Sequence, residues 1–243
     1  MKNLKKVLSL VLALAMALSL MTAAFAADAS DYKDYSKVTY KEAVDVMTAA
    51  GIFNGGDGNN FNPDANLNRE QAAKIITYML VGQEKADKLT ATVAPYADVA
   101  ANRWSAGAIA YCTNEGILAG DGNGRFNPTA PVLGTQFAKM LLVALGYDAE
   151  ASKYQNNSMW SVNIMKDAQV AGLLNGVEGT ANDTLTRDGA AQMIFNTLNA
   201  KTVTPKFQYD MGVQYLSEYV VSSTTLGYQT YGMVKVTATV KGI

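Results

Sequence analysis

Apolar residues recur at helical spacing along most of the chain, from residue 32 to residue 199. In the first such segment they share one face, because a helix turns once every 3.6 residues: Tyr40, Ala43, Val44, Met47 and Ala50. A second segment from Ala72 to Leu80 has the same periodicity, and similar pairs of segments follow. The pattern predicts a mainly α-helical protein built from helix–loop–helix units.

Three copies of this unit follow one another. Gly51, Gly116 and Gly172 each come directly after a first helix, at offsets of 65 and 56 residues, and suit the left-handed position that ends a helix. At the first offset the identical polar pairs include Gln71 with Gln136 and Lys74 with Lys139. One helical pair cannot bury its apolar face, whereas three pairs can share a core. We therefore expect a compact, pseudo-threefold domain with copies at residues 32–82, 94–147 and 154–199.

The N-terminus predicts a secretory signal peptide over residues 1–26. Three lysines precede an uncharged apolar run that begins at Val7, and Ala24 and Ala26 fit the small-x-small cleavage rule. An uncleaved membrane anchor is the alternative, since a span needs about 20 apolar residues. We expect cleavage before Ala27, which leaves a secreted protein without a stable membrane span.

Composition excludes several classes of function. The chain has one cysteine and no histidine, so it can form neither an internal disulfide, a Ser-His-Asp or Cys-His nucleophile, nor a histidine zinc site. Without the three lysines of the predicted signal, 17 basic residues stand against 21 acidic ones, a net charge of −4 that gives no reason to expect nucleic acid. We predict no metal ion and no cofactor, although carboxylate chemistry remains open.

The order of motifs within each copy resembles the S-layer homology motif. Tyr96-Ala97-Asp98-Val99 leads to Trp104 and a helix, followed by a Gly-Ile pair, a Gly-Asp-Gly loop, Phe-x-Pro and a helix start such as Leu-Asn-Arg-Glu. The resemblance implies a three-pronged helical prism with grooves between neighbouring motifs. It also implies binding to the secondary polysaccharide attached to peptidoglycan in Gram-positive-type walls. That ligand is often a pyruvylated, anionic amino sugar, whose acid group the arginine of the motif contacts.

Two arginines are the candidates for this contact. Arg69 and Arg187 stand at the first position of their helices, where free backbone N–H groups and the helix dipole favour an anion. A guanidinium adds a two-pronged contact to a carboxylate. The alternative is an ion pair with the adjacent Glu70 or Asp188. In the second copy Gly134 takes the place of arginine, so we expect at most two competent grooves.

Further candidate ligand-binding residues surround these arginines. Trp104 and Trp160 open equivalent helices and suit either the C–H face of a sugar or the protein core. Asp98 is a candidate for a hydrogen bond to a sugar hydroxyl or to the next loop, and in the first copy Lys37 stands in its place. The remaining candidates lie in glycine-rich loops, where the backbone can approach a ligand closely: Gly55, Gly56, Asp57, Gly120 and Asp121.

The segment 200–243 predicts a short β-rich unit. Residues Tyr215 to Val221 suggest one strand, and alternation of apolar and polar residues from Val234 to Val240 suggests another. Some 40 residues are too few for a catalytic domain. We expect a non-enzymatic anchor that binds wall polysaccharide and self-associates in a surface layer. The alternatives are the truncated anchor of a surface polysaccharide hydrolase, and a purely structural protein that packs with other surface proteins.

Overall fold

The computed structural model describes residues 27–179 and 182–235, so the predicted signal peptide lies outside the described residues. This part is rich in helix and has a two-stranded sheet near its end, in agreement with the predicted mainly α class. After two 3-10 turns, the helices of the repeats are α1 (Lys41–Ala49), α2 (Arg69–Val81), α3 (Gln83–Ala86), α4 (Ala106–Asn114), α5 (Gly134–Ala144), α6 (Trp160–Val170) and α7 (Arg187–Asn199).

The helix ends follow from local chemistry. Asn68 and Gln71 form a capping box at the start of α2, in which each side chain accepts a hydrogen bond from the other's backbone N–H. Thr186 caps α7 by accepting from the N–H of Gly189. Helices α1, α4 and α6 end at the predicted glycines, which have φ values of 68°, 69° and 79°. These conformations are left-handed, as a glycine stop requires.

Each first helix packs against the second helix of the preceding copy rather than against its own partner. Helix α4 lies on α2, α6 lies on α5, and α1 closes the circle by lying on α7. The shared core includes fully buried apolar side chains from every copy, among them Val44, Met47, Ile76, Met79, Ile109, Cys112, Phe137, Leu141, Ile164 and Ile194. The three helical pairs are therefore interdependent.

A ring of backbone hydrogen bonds joins the segments that precede the second helices. The N–H of Leu67 donates to the carbonyl of Leu185 at 2.8 Å, Leu185 donates to Val132 at 2.8 Å, and Val132 donates back to Leu67 at 2.9 Å. The N–H groups two residues further along each segment repeat this relation: Arg69 donates to Ala130, Gly134 to Asp183, and Arg187 to Ala65. Equivalent positions in the three copies thus meet each other.

The C-terminal segment forms an antiparallel hairpin of β1 (Lys201–Asp210) and β2 (Val213–Thr225), followed by α8 (Leu226–Tyr231). The predicted strand from Tyr215 to Val221 lies within β2. Of the second predicted strand only Val234 and Lys235 are described, and they lie outside helix and strand. The hairpin docks on the second copy, where the N–H of Val203 donates to Leu145 at 2.8 Å and the Tyr219 ring lies 4.7 Å from that of Tyr147.

Candidate ligand-binding grooves

Both candidate arginines reach across to the loop of another copy. The Nε of Arg69 donates to the carbonyl of Phe126 at 2.8 Å, and its Nη2 donates to Ala119 at 2.7 Å. The guanidinium carbon also lies 4.5 Å from the centre of the Phe126 ring. Arg187 repeats this arrangement in the first copy, with Nε on Phe61 at 2.8 Å and Nη2 on Asn54 at 3.2 Å. Each guanidinium is therefore held in a fixed orientation.

The adjacent acidic residues are engaged elsewhere, so the predicted alternative of an Arg69–Glu70 or Arg187–Asp188 pair is wrong. Glu70 accepts hydrogen bonds from Arg103, while Asp188 accepts from the backbone N–H of Thr39 at 2.8 Å. Burial lowers the pKa of Arg69 and of Arg187. Both remain cations at neutral pH, because arginine normally titrates above about pH 12.

The helix N-termini themselves do not offer the free N–H groups expected from sequence. In α2 the N–H of Arg69 donates to Ala130 and that of Glu70 to Pro128, both in the second copy. In α7 the N–H groups of Arg187 and Asp188 donate to Ala65 and Pro63 of the first copy, and that of Gly189 donates to the hydroxyl of the helix's own cap, Thr186. Because these backbone N–H groups already donate hydrogen bonds, the binding of an anion at either site depends on side chains.

A cavity borders each arginine. The Arg187 groove, of about 310 Å³, lies between the first and second copies and is lined chiefly by Arg187, Asn54, Gly55, Gly56, Gln71, Lys74 and Trp104. The Arg69 groove, of about 330 Å³, lies between the second and third copies and is lined chiefly by Arg69, Ala119, Gly120, Gln136, Lys139, Tyr154 and Trp160. Arginine, glutamine, lysine and tryptophan thus recur at equivalent places in the two grooves.

The tryptophans lie at the edges of these grooves. Trp104 is 58% exposed and Trp160 is 37% exposed, so the alternative of a core anchor is wrong for both. An exposed indole presents a flat apolar face that suits the C–H face of a sugar ring, and its N–H can donate a hydrogen bond. The structure thus brings each predicted tryptophan together with one predicted arginine.

The lysines of the two grooves differ in their surroundings. The Nζ of Lys74 lies 2.9 Å from the carboxylate of Asp87, so its charge is largely neutralised. The Nζ of Lys139 instead has the amide oxygen of Gln155 as a partner at 3.4 Å, and burial lowers its pKa. Sequence reasoning did not select these lysines as site residues, although their identity between the first two copies was a usable signal.

Asp98 holds the loop of its own copy. Its two carboxylate oxygens accept the backbone N–H groups of Phe126 and Asn127, both at 2.8 Å. Burial alone would raise the pKa of Asp98, but these hydrogen bonds outweigh it and the pKa lies below its usual value. Of the two predicted partners for Asp98, the loop is the one that it contacts.

The first copy contains an equivalent acid that sequence comparison missed. Asp34 accepts the N–H groups of Phe61 and Asn62, both at 2.7 Å. The match of Lys37 with Asp98, at an offset of 61 residues, is therefore wrong, because the two copies align here at an offset of 64 residues. The signal was the shared aromatic-x-Asp spacing, Tyr32 with Asp34 and Tyr96 with Asp98.

The loop glycines allow close packing. A Cβ at Gly55 would lie 2.8 Å from the ring of Tyr32, and a Cβ at Gly120 would lie 2.6 Å from that of Tyr96. Both glycines also line a groove, and Gly56 lies beside Gly55 in the Arg187 groove. Their lack of a side chain thus serves the packing of the loop and keeps the groove open.

The loop acids have local roles in turn geometry. The Oδ1 of Asp121 accepts the N–H groups of Asn123 at 2.8 Å and Arg125 at 3.2 Å, and these bonds lower its pKa. Asp57 is exposed, and its carbonyl accepts from the side chain of Asn60. Asp121 adjoins Arg69 in a further cavity, whereas Asp57 is not among the residues described as lining the Arg187 groove.

The cavity beside Gly134 has a different character. It measures about 350 Å³ and is lined by Gly134 together with Met165, Leu174, Val177, Glu178 and Asp183, among others. The positions that correspond to tryptophan, glutamine and lysine are occupied by Thr39, Gly189 and Gln192. All four recurring groups are thus replaced, so this cavity offers apolar and acidic groups instead of cations.

Within the described residues, 27–179 and 182–235, no group of three or more cysteine, aspartate and glutamate side chains could hold a metal ion. Within the same ranges, no helix combines the length and apolar character needed to cross a membrane.

Two of the repeats are similar to a known protein family. The S-layer homology domain matches residues 31–73 and 95–138. The chain is 29% identical over 224 residues to a "Cell surface protein" of Thermoanaerobacter kivui, covering 91% of this chain and 28% of the relative. It is 28% identical to a "Surface-layer 125 kDa protein" of Lysinibacillus sphaericus, covering 74% of this chain and 16% of the relative. It is also 28% identical to a "Surface layer protein" of Brevibacillus choshinensis, covering 82% of this chain and 17% of the relative. The chain spans less than a third of each of these relatives.

Proposed function

We propose that this chain anchors to the bacterial cell wall without a covalent bond, by binding an anionic sugar of the secondary cell-wall polysaccharide. The observation that carries the proposal is the recurrence of one set of groups, namely a half-buried arginine, an exposed tryptophan, a glutamine and a lysine, in the Arg69 and Arg187 grooves. Relatives named as surface-layer and cell-surface proteins support a role at the cell surface.

The chemistry of the grooves suits a pyruvylated amino sugar. A guanidinium has five N–H donors, and the two that Arg69 spends on Ala119 and Phe126 leave donors for a carboxylate. Its fixed orientation reduces the entropy lost on binding. The adjacent indole offers an apolar face to the ring carbons of the sugar. Together these groups select an anion that is attached to a sugar ring.

In this proposal the three copies form a three-pronged prism, and residues 154–199 are a complete third motif. The cyclic packing of the helices and the ring of Leu67, Val132 and Leu185 support this geometry. The third groove, at Gly134, does not bind the acidic sugar because it lacks the arginine. Two sites per chain are expected.

The proposed setting is the outer surface of a Gram-positive-type cell, reached by cleavage of residues 1–26. The chain acts there as a non-enzymatic anchor of a surface-layer or surface-associated protein, with self-association in the layer. The grooves have the composition of a sugar-binding site, with cations and an indole in place of a pair of free carboxylates.

Binding to purified wall sacculi tests the function directly. Protein comprising residues 27–243 would be pulled down with sacculi before and after acid extraction of the secondary polymer. We expect binding only before extraction, and loss of binding in the double variant Arg69→Ala, Arg187→Ala. Arg125→Ala is the matched control, since that side chain is 63% exposed and lies outside both grooves as described. Binding that survives extraction or the double variant would refute the proposal.

A further inference from the structure

Strand β1 contacts the second copy at its start, and its distal half is exposed. The N–H of Val203 donates to the carbonyl of Leu145 rather than to β2, so this side of β1 is the outer edge of the sheet. Among residues 27–179 and 182–235, the sheet consists of β1 and β2 alone. An edge strand presents a row of backbone donors and acceptors to any further strand. The distal part of β1 is therefore open to pairing.

The length of this open edge follows from the sequence. Backbone groups of a strand alternate between its two sides, so Pro205, Phe207 and Tyr209 face the same side as Val203. Proline has no N–H and gives an added strand no donor, so pairing is limited to the five residues between Pro205 and the turn, Lys206–Asp210. The opposite edge is less suitable, because β2 carries an extra residue within its paired length and such bulges disrupt a ladder.

The five residues of the open edge are complementary to themselves. They read Lys-Phe-Gln-Tyr-Asp. When two such strands pair antiparallel about Gln208, Lys206 of each lies opposite Asp210 of the other. Phe207 of each likewise lies opposite Tyr209 of the other. Opposite charges and aromatic pairs directly across a ladder stabilise it, and a shift of one residue in either direction loses both charge pairs.

We infer that two copies of this chain associate through their β1 edges and form one four-stranded antiparallel sheet. The contact is two-fold symmetric, because each copy uses the same surface. Phe207 and Tyr209 exchange backbone hydrogen bonds with Tyr209 and Phe207 of the other copy, which covers a Tyr209 side chain that is 72% exposed in the single chain. The Nζ of Lys206 lies 2.7 Å from Glu218 of its own hairpin and gains Asp210 of the other copy as a second carboxylate.

This inference rests on the self-association within the proposed function and adds the surface through which it occurs. The hairpin is separate from the residues described as lining the Arg69 and Arg187 grooves. Pairing in solution therefore needs no glycan, and wall binding needs no pairing.

A cysteine on the two-fold axis tests the inference. Gln208 faces Gln208 of the other copy in a pair without backbone hydrogen bonds, where the Cα atoms are about 4.5 Å apart, within the range of a disulfide. The natural Cys112 is the only cysteine in the sequence and is buried. Under mild oxidation of residues 27–243, we expect Gln208→Cys to form a linked dimer roughly tenfold faster than Gln214→Cys, because pairing raises the effective concentration of the two thiols.

Gln214 is the matched control. It is an exposed glutamine of the same hairpin, but it lies on β2, opposite Tyr209. In the paired sheet it is three strand spacings, or about 14 Å, from its counterpart, which is too far for a disulfide. Equal rates for Gln208→Cys and Gln214→Cys would overturn the inference, and are expected if a different segment or protein occupies the edge.

Charge exchange tests the register in the Gln208→Cys background. Lys206→Asp places two acids opposite each other, and Asp210→Lys places two cations opposite each other, so each variant alone should fall to the control rate. An equal mixture of the two should recover the linked dimer, since every charge then faces its opposite. No recovery in the mixture would overturn the pairing about Gln208. Pull-down of the same proteins with sacculi reports wall binding separately, so failure of the pairing leaves the proposed anchoring standing.

Discussion

Glu70 receives both prongs of the Arg103 guanidinium, with Nε at 2.7 Å and Nη2 at 2.8 Å, and so fixes the start of the second copy to helix α2. The hydroxyl of Ser105 adds a third hydrogen bond to this carboxylate at 2.6 Å. Asp188 holds the equivalent place in α7 and secures the start of α1 through backbone N–H groups. The acidic residue at the second position of α2 and of α7 thus joins successive copies, through side-chain donors at Glu70 and through backbone N–H groups at Asp188.

Removal of Arg103 should destabilise the fold strongly. The Glu70 side chain is only 5% exposed, so Arg103→Ala leaves a buried carboxylate without its cation. Loss of one partner of a buried pair typically costs about 3–5 kcal/mol, and the partial exposure of Arg103 places the expected loss near ~3 kcal/mol. Urea denaturation measures this change. Arg125→Ala, at an exposed site, should stay within about 0.5 kcal/mol of the parent; equal losses would contradict the prediction.

The same pair makes stability depend on pH. Burial alone would raise the pKa of Glu70, but the hydrogen bonds from Arg103 and Ser105 outweigh it, and the pKa lies below its usual value. A depressed pKa in the folded state stabilises the protein above the unfolded pKa, near ~4.3, and this contribution disappears as the pH falls through the folded pKa.

The free-energy difference between the parent and Arg103→Ala should therefore shrink on acidification. Denaturation curves between about pH 6 and about pH 3 test this, because other carboxylates titrate in both proteins and cancel in the difference. A difference that stays constant over this interval would exclude Glu70 as its source.

Asp34 should matter for stability where Lys37 does not. Asp34→Ala leaves the N–H groups of Phe61 and Asn62 without their acceptor, which we expect to cost about 2 kcal/mol, as for Asp98→Ala in the second copy. Lys37 is exposed, so Lys37→Ala should change stability by less than about 0.5 kcal/mol. Thermal unfolding ranks the three variants, and a larger effect at Lys37 than at Asp34 would restore the original alignment.

The two grooves should depend unequally on their lysines. Asp87 neutralises Lys74, whereas Lys139 faces the neutral Gln155. With Arg187→Ala present, Lys139→Ala should weaken binding of a pyruvylated N-acetylhexosamine roughly tenfold, or ~1.4 kcal/mol. With Arg69→Ala present, Lys74→Ala should weaken it less than about threefold. Calorimetry at about 50 and about 300 mM salt should show the steeper salt dependence for the Arg69 groove. Equal losses would mean that the ion pair to Asp87 opens on binding.

Much of the fold could be predicted from local sequence. The structure confirms the helical periodicity, the capping box at Asn68 and the glycines that end helices. Each of these signals depends only on residues a few positions apart in the sequence. The role of Asp34 was missed because Tyr35 and Val38 have the same spacing as Tyr96 and Val99, which places Lys37 opposite Asp98. Periodicity places Trp104 at the start of a helix, and only the packing of the neighbouring copies determines that its ring is exposed.

The residue types of the candidate site could be predicted from the sequence, but the hydrogen bonds and ion pairs of those residues could not. Arg69 was correctly placed at the first position of α2, yet its backbone N–H donates to Ala130 of another copy. The sequence does not reveal that a backbone N–H group donates to an acceptor in a distant segment. The same limit applies to Lys74, whose charge is neutralised by Asp87, 13 residues away.

The ring of Leu67, Val132 and Leu185 determines how a wall anchor would bear mechanical load. Because these hydrogen bonds form a closed ring, each copy contacts both of the others. Force applied to the segment after α7 therefore acts on α1 and on the second copy as well. Peeling, in which repeats detach one after another as in an open stack, is thereby prevented. The module should resist force up to a single threshold and then give way as a whole.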